Sequence, residues 1–397
     1  YIWIDDEVVE IHDAAHLWGK ETKKTLHAVR EELEDERIRC AMIGPGGENL
    51  VRFACIMNGL NDAAGRTGLG AVMGSKQLKA IAVRGSARLD GADPETIRAM
   101  ARRAAQEVRE GERAAGLHQF GTGAGLEGSV EVGNLPIRNF RDGQFPGAGR
   151  ISAENFLEEI GAGMEACWAC AVRCKKVVEA ESPHRVDPAY GGPEYESVGA
   201  LGSCCGVDDI VAVSKATVLC NAHSLDSIST GVMIAFAMEC FEEGLLTTED
   251  TDGLELRFGN GDAVVEMVGR IARREGLGDL LAEGPASAVA AIGEEAGRFA
   301  MAAKNQPYPM HEPRYKRGLA IGYAVSPTGA DHVHSFHDIN VSEPDEAGFL
   351  QHDKLRSLGV LEPMAQESLG PDKVLASLRS STLTLAENCL VMCIFPG

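Results

Sequence analysis

The sequence predicts an α+β protein, with a sheet-containing N-terminal portion followed by two mainly α-helical domains. Three observations carry this. The first 85 residues hold several short runs of β character, whereas beyond Asp90 alanine-rich stretches with helical spacing dominate and β runs become rare. A Pro- and His-rich passage, NQPYPMHEPRY, then opens a third segment near Lys304. At 397 residues the chain is too long for one core, and the changes in character place domains at 1–90, 91–300 and 301–397.

Taken in order, residues 1–13 alternate apolar and polar on either side of Asp5-Asp6, the pattern of a hairpin. Leu26, Val29 and Leu33 place a helix over 22–33. The runs IRCAMIG (38–44), VRFACIM (51–57) and KAIAVRG (79–85) read as strands, separated by GPGGEN and by the glycine-rich AAGRTGLGAVMGSK. Residues 94–110 read as a helix that GTGAGLEG breaks. Further helices follow at 208–222, 229–243 and 262–274; the last has the stripe Val264, Val265, Val268 and Ile271, with Gly276 in a C-cap position. No repeat of solenoid period and no low-complexity tract occurs.

Composition narrows the function. With 38 Lys and Arg against 59 Asp and Glu the formal charge is -21, which argues against a nucleic-acid or anionic-membrane partner, because both are gripped by clustered cations. No apolar run reaches the length of a membrane span. Eleven cysteines are too few and too uneven for a disulfide scaffold, so reduced thiols and a cytoplasmic setting are expected. The chain begins without Met inside a strand pattern and is expected to be an internal portion of something longer.

Three of the thiols stand together in CWACAVRC, at Cys167, Cys170 and Cys174. A C-x2-C-x3-C spacing lets one loop offer three sulfurs to a single centre, with a fourth ligand from elsewhere, and this suits a [4Fe-4S] cube better than paired zinc knuckles. Cys389 and Cys393 in NCLVMCIF are the remote candidates, and Arg173, Lys175 and Lys176 would offset cluster charge. The competing reading is a buried helical stripe, since positions i, i+3 and i+7 share a face. In 63–76, Gly65, Gly68, Gly70 and Gly74 with Arg66 and Lys76 could cradle a phosphate, although neither common nucleotide motif is met. Glu194 and Glu196 lie among small and apolar neighbours that favour a raised pKa, and GADHVHSFHD gathers His332, His334 and His337.

Taken together, GPGGENLVRFACI, AAGRTGLGAVMGSK, CWACAVRC, GPEYES, CNAHSLDSISTG, GADH and the closing cysteine motif resemble, in this order, the aldehyde:ferredoxin oxidoreductase family of tungsten enzymes, over nearly the whole chain. The resemblance implies a tungsten, or molybdenum, atom held by two pterin dithiolenes, a neighbouring [4Fe-4S] cluster, and a Mg2+ ion between the pterin phosphates. It makes 1–90 part of the β-rich pterin-binding domain. Cys167, Cys170 and Cys174 become cluster ligands, with Cys393 as the fourth. The family's two D-x-x-G-L-(D/C) pterin motifs fall on Asn221-Ala222-His223-Ser224-Leu225-Asp226 and Asn388-Cys389-Leu390-Val391-Met392-Cys393, which puts Asn221, Leu225, Asp226, Asn388, Met392 and Cys393 at the cofactor. Here Asn replaces the usual Asp, and Ser224 and Val391 stand where glycine is usual; Asn keeps an acceptor oxygen but loses the charge. Arg66 and Gly68 become phosphate contacts, Glu196 the active-site carboxylate and His332 the active-site histidine.

The implied reaction is oxidation of an aldehyde to a carboxylic acid, with electrons leaving through the cluster to ferredoxin or an iron–sulfur subunit of a homo- or hetero-oligomer. His332 would polarise the carbonyl and Glu196 would accept the proton. Alternatives are a related low-potential reduction of an aromatic-ring thioester or a carboxylic acid, or a cluster-only electron-transfer protein.

Overall fold

The computed structural model describes residues 1–87, 91–334, 336–342, 356–360, 362–391, 393 and 395, apart from the side chains of residues 112 and 113. Six strands form the N-terminal sheet: β1 (Ile2–Asp5), β2 (Val8–Ile11), β3 (Arg39–Met42), β4 (Ile56–Asn58), β5 (Asp62–Ala64) and β6 (Ala80–Arg84), in the order β2-β1-β6-β3-β4-β5. Only the β1–β6 pairing is parallel. The hairpin read around Asp5-Asp6 is present, with Asp5 opposite Val8. Helix α1 (Thr22–Glu32) lays Leu26 and Val29 on this sheet, against a core of Leu17, Ile38, Cys40, Met42 and Met57.

Two expectations fail in this part. The run 51–57 does not form one strand: only its end enters β4, while upstream Ala54 bridges Leu225 and the Phe53 carbonyl accepts from the Asp226 N–H at 3.0 Å. A segment some 170 residues away thus outcompetes the neighbouring strands, which local propensity cannot foresee. The glycine-rich separators also contain short helices, α2 (Pro45–Glu48) and α3 (Leu69–Ser75). Gly68 starts α3 at φ 74°, and a Cβ there would stand 2.3 Å from the Arg52 carbonyl, so the backbone conformation and the close approach both require glycine.

Helix α4 (Pro94–Glu110) is capped by Asp93 and buries no residue; α5 (Glu112–Phe120), α6 (Leu126–Glu131) and α7 (Ala153–Ile160) follow. A hairpin of β7 (Gly161–Glu165) and β8 (Lys175–Val178) then carries the cysteine loop. The helical core is built from α8 (Tyr195–Leu201), α9 (Ile210–His223), α10 (Ser227–Glu242), α11 (Gly261–Arg273), α12 (Leu277–Ala282) and α13 (Pro285–Ile292). At its centre α10 buries every residue from Ile228 to Phe241 and packs on α8 at Gly231, where a Cβ would come within 2.5 Å of Ala200. α11 closes on Arg274 in the left-handed region, two residues before the expected Gly276, which instead precedes α12.

The last segment adds the two-residue pairing of β9 (Ala302–Ala303) with β10 (Gln306–Pro307), then α14 (Arg317–Val325) and α15 (Pro371–Cys389). These two helices are pinned by a fully buried ion pair, Lys373 Nζ to Asp338 Oδ1 at 2.7 Å. Asp338 also accepts from the Gly318 and Leu319 N–H groups at the start of α14, and Lys373 donates to the carbonyls of Ala365 and Gln366.

Candidate active site

A cleft of about 250 Å3 opens where the N-terminal sheet, the cysteine hairpin and the α9–α10 junction meet. Arg66, Glu196, Asn221, Leu225 and Asp226 line it, together with Lys175 and Lys176 from the hairpin. A second cleft, of about 370 Å3, lies past the glycine loop and is lined by Arg52, Thr67, Gly68, Lys304, Gln306 and Thr328. Arg66 faces the first and Gly68 the second.

Arg66 is only 11% exposed and most of its fork points into the protein: Nε donates to Asp226 Oδ2 at 3.2 Å, Nη1 to the Ala330 carbonyl at 2.7 Å, and Nη2 to the Pro307 carbonyl at 2.6 Å and weakly to Ser229. Asp226 in turn caps α10 by accepting from the Ile228 and Ser229 N–H groups. Asn221, in the last turn of α9, donates to the Tyr190 carbonyl at 3.2 Å, and Leu225 is buried. Ser224 holds φ 58°, and its hydroxyl accepts from the Gly44 N–H at 2.8 Å.

The cysteine trio sits in a loop rather than on a helix, so the stripe reading is excluded. Ala169 and Arg173 both take φ 54°, the Cys170 N–H closes a turn onto the Cys167 carbonyl, and Val172 is the loop's buried anchor. The structure brings Cys393 to this loop from beyond the end of α15. Burial foremost, then the charges of Glu194, Cys393, Cys167 and Cys170, push the Cys174 thiol up to about 11. Cys167 and Cys393 are also raised, first by burial, with Cys393 contributing to the first and Cys170 to the second. Four cysteines gathered at one loop, three of them with thiols raised by burial, are a donor set that a metal centre stabilises as thiolates, so they fit the cluster that the resemblance implies. Asn388 and Cys389 are exposed at the end of α15, and Met392 lies outside the described residues.

Glu196 opens α8, where Oε2 accepts from the Met310 N–H at 2.8 Å. Oε1 lies 3.6 Å from His332 Nε2 and 3.2 Å from His311 Nε2, yet it is buried without an aligned hydrogen bond, as is His332 Nδ1. Glu196, His311 and His332 offer ligand atoms within 4.8 Å of one another, but the Nδ1 of His311 faces two donors, Lys316 Nζ at 3.2 Å and the Asn134 amide at 3.4 Å. Those donors place the ring proton on Nε2, which disfavours a cation there.

His311 and Lys316 are absent from the sequence reading. His311 was visible only as one histidine in a Pro- and His-rich passage, and nothing local brings it beside Glu196. His337, given no role from sequence, accepts at Nδ1 from Lys316 Nζ at 2.6 Å, while His334 lies near Ser326 and Thr328 instead. Glu194 accepts from the Thr122 hydroxyl and lines the first cleft.

Comparison with known proteins gives a consistent result. Residues 99–397 match the family model described as aldehyde ferredoxin oxidoreductase, domains 2 and 3, and residues 1–85 match that of the N-terminal domain. The tungsten-containing aldehyde ferredoxin oxidoreductases of Pyrococcus furiosus and Thermococcus kodakarensis are 38% and 39% identical, each over 85% of this chain and 55% of the relative. An aliphatic sulfonate oxidoreductase, WOR-like subunit, of Pyrococcus furiosus is 34% identical over 84% of this chain and 56% of its own. The chain thus spans about half the length of the curated relatives it matches. The solved active-site complex BamBC of benzoyl coenzyme A reductase, with 1,5-dienoyl-CoA, superposes with a TM-score of 0.75 at 22% identity, over all of this chain and 64% of that one, which shows a shared fold.

Proposed function

We propose, from the premise that the chain belongs to the aldehyde ferredoxin oxidoreductase family, that it forms part of a tungsten- or molybdenum-dependent enzyme oxidising aldehydes to carboxylic acids. The observation that carries the reading is the orphaned Oε1 of Glu196, a buried carboxylate oxygen faced by two imidazoles beside the cleft that the Asn221–Asp226 motif lines. Leaving such an atom unpaired costs about 1–3 kcal/mol, which is the signature of a group reserved for a ligand.

Asn221, Leu225, Asp226 and Arg66 would hold one pterin along the first cleft, and Gly68 with Lys304 and Gln306 a second one across the glycine loop. A Mg2+ ion would offset the charge of the pterin phosphates. When bound, the pterin-held metal supplies the two-electron change, and a [4Fe-4S] cluster on Cys167, Cys170, Cys174 and Cys393 passes electrons on singly. Asn388 and Met392 would complete the second motif.

This chain's own residues then do the acid–base work. RCHO and water give RCOOH, two protons and two electrons. Glu196 Oε1 accepts a proton from the attacking water, because its other oxygen is fixed by Met310 and cannot turn away. His332, through Nε2, donates to the carbonyl oxygen and draws charge off the carbon. Electrons leave to a ferredoxin or an iron–sulfur subunit within a homo- or hetero-oligomer in the cytoplasm; among the described residues no helix is long and apolar enough to cross a membrane.

The test uses the full-length protein. Elemental analysis is expected to find tungsten or molybdenum with iron. Glu196→Gln is expected to keep both metals and lose roughly 10²- to 10⁴-fold in dye-coupled aldehyde oxidation, the usual contribution of a general base. Unchanged turnover removes Glu196 from the mechanism. A viologen-linked panel including a ring thioester and a carboxylic acid separates this reading from reduction at the same centre.

A further inference from the structure

The ammonium of Lys316 lies 3.2 Å from Nδ1 of His311 and 2.6 Å from Nδ1 of His337, inside the protein and 7% exposed. The far nitrogen of His311 stands 3.2 Å from Glu196 Oε1, and that of His337 bonds the His332 carbonyl at 3.0 Å. An ammonium has donors only, so both Nδ1 atoms must accept and both Nε2 atoms must carry the proton. The same assignment satisfies the His332 carbonyl, which can only accept.

We infer that Lys316 is a positioning residue, which fixes the tautomers of His311 and His337 and so puts an N–H, not a lone pair, on the His311 nitrogen nearest Glu196 Oε1. This rests on the reading of Glu196 as the base. With the proton on Nε2, the ring nitrogen 3.2 Å from Oε1 presents a positive edge to that oxygen, although the N–H is not aligned on it. In the opposite tautomer a lone pair would stand beside Oε1 instead, two acceptors in contact. No bond is made or broken: the proton on His311 merely stays on Nε2. The packing favours neutral rings, since burial foremost, and then Lys316 for His311 and His311 followed by Lys316 for His337, hold both well below the usual histidine range. Tyr195 stacks on His311 at 5.2 Å and fixes its plane. The charged groups facing Lys316 are Asp338 and Glu196, and burial outweighs both in drawing its ammonium down to about 8.

The test is nitrogen-15 NMR of full-length protein labelled in the histidine rings. Two neutral rings protonated on Nε2 are expected, one lost in His311→Gln and one in His337→Gln. In Lys316→Met the His311 signal is expected to move toward the Nδ1–H form and turnover to fall at least tenfold with KM unchanged. Lys316→Arg, which stays charged, should keep the tautomers and push the alkaline limb near pH 8 upward. Wild-type rings protonated on Nδ1, spectra unaltered in Lys316→Met, or an alkaline limb unmoved in Lys316→Arg would each overturn the inference. The NMR arm does not depend on the substrate, so an enzyme inactive on aldehydes leaves it standing, and active enzyme with the wrong tautomers condemns it alone.

Discussion

Two helix ends in this chain share one backbone and differ in everything around it. α9 ends at Ser224, φ 58°, and α15 at Leu390 followed by Val391, φ 56°, each at the place where the family pattern carries glycine. The first end is buried: Ser224 is 0% exposed and Asp226 5%, and each side chain answers a backbone N–H. At the second end Val391 is 92% exposed and Asn388 and Cys389 are at the surface. The left-handed turn is therefore the common requirement, and glycine is only one way to meet it. A serine can do so where its hydroxyl gains a partner, and a valine does so with no such return. The buried end belongs to the fold, whereas the exposed end carries no comparable packing and leads to Cys393.

Substitutions should separate these two roles. Cys393→Ser is expected to abolish bound iron in the full-length protein while moving the unfolding free energy of the metal-free form by less than about 0.5 kcal/mol, as for surface changes generally; retained iron would release Cys393 from the cluster. Asp226→Ala should do the reverse, costing about 3–5 kcal/mol in denaturant unfolding by stripping the buried Arg66 of its partner and α10 of its cap. Smaller effects of opposite sign are expected at the turn itself. Ser224→Gly relieves the backbone but orphans the buried Gly44 N–H, a net loss of about 1 kcal/mol. Val391→Gly only relieves it, a gain of up to about 1 kcal/mol. Equal signs at the two positions would dissolve the contrast.

How much of this was legible follows the range of the interactions. The hairpin at Asp5-Asp6, α1, α4 and the order of the motifs are local, and the sequence shows them. Cys393 follows from the family pattern, and in the fold it lies near enough to the cysteine loop to interact electrostatically with Cys170 and Cys174. The failure at 51–57 came from pairing with 224–226, and α2 and α3 hide in glycine-rich segments because tertiary packing overrides low helix propensity. Glu196 and His332, which the fold places 3.6 Å apart, stand out in motifs. His311 and Lys316 do not, since each is a common residue whose meaning comes only from its neighbours across the fold.

The buried pair of Lys373 and Asp338 makes α15 a lever. Its fulcrum lies near the N-terminal end of the helix, and Asp338 follows His337 directly, so the fulcrum sits beside the histidine cluster. At 1.5 Å per residue the arm from Lys373 to Cys389 is ~24 Å, so a tilt of ~5° at the pair would swing the far end by ~2 Å. A thiolate–iron bond tolerates a small fraction of that. A change at the root of α15 would therefore displace Cys393 long before it registered in stability, and one buried ion pair ties that cysteine's helix to the segment that carries His337.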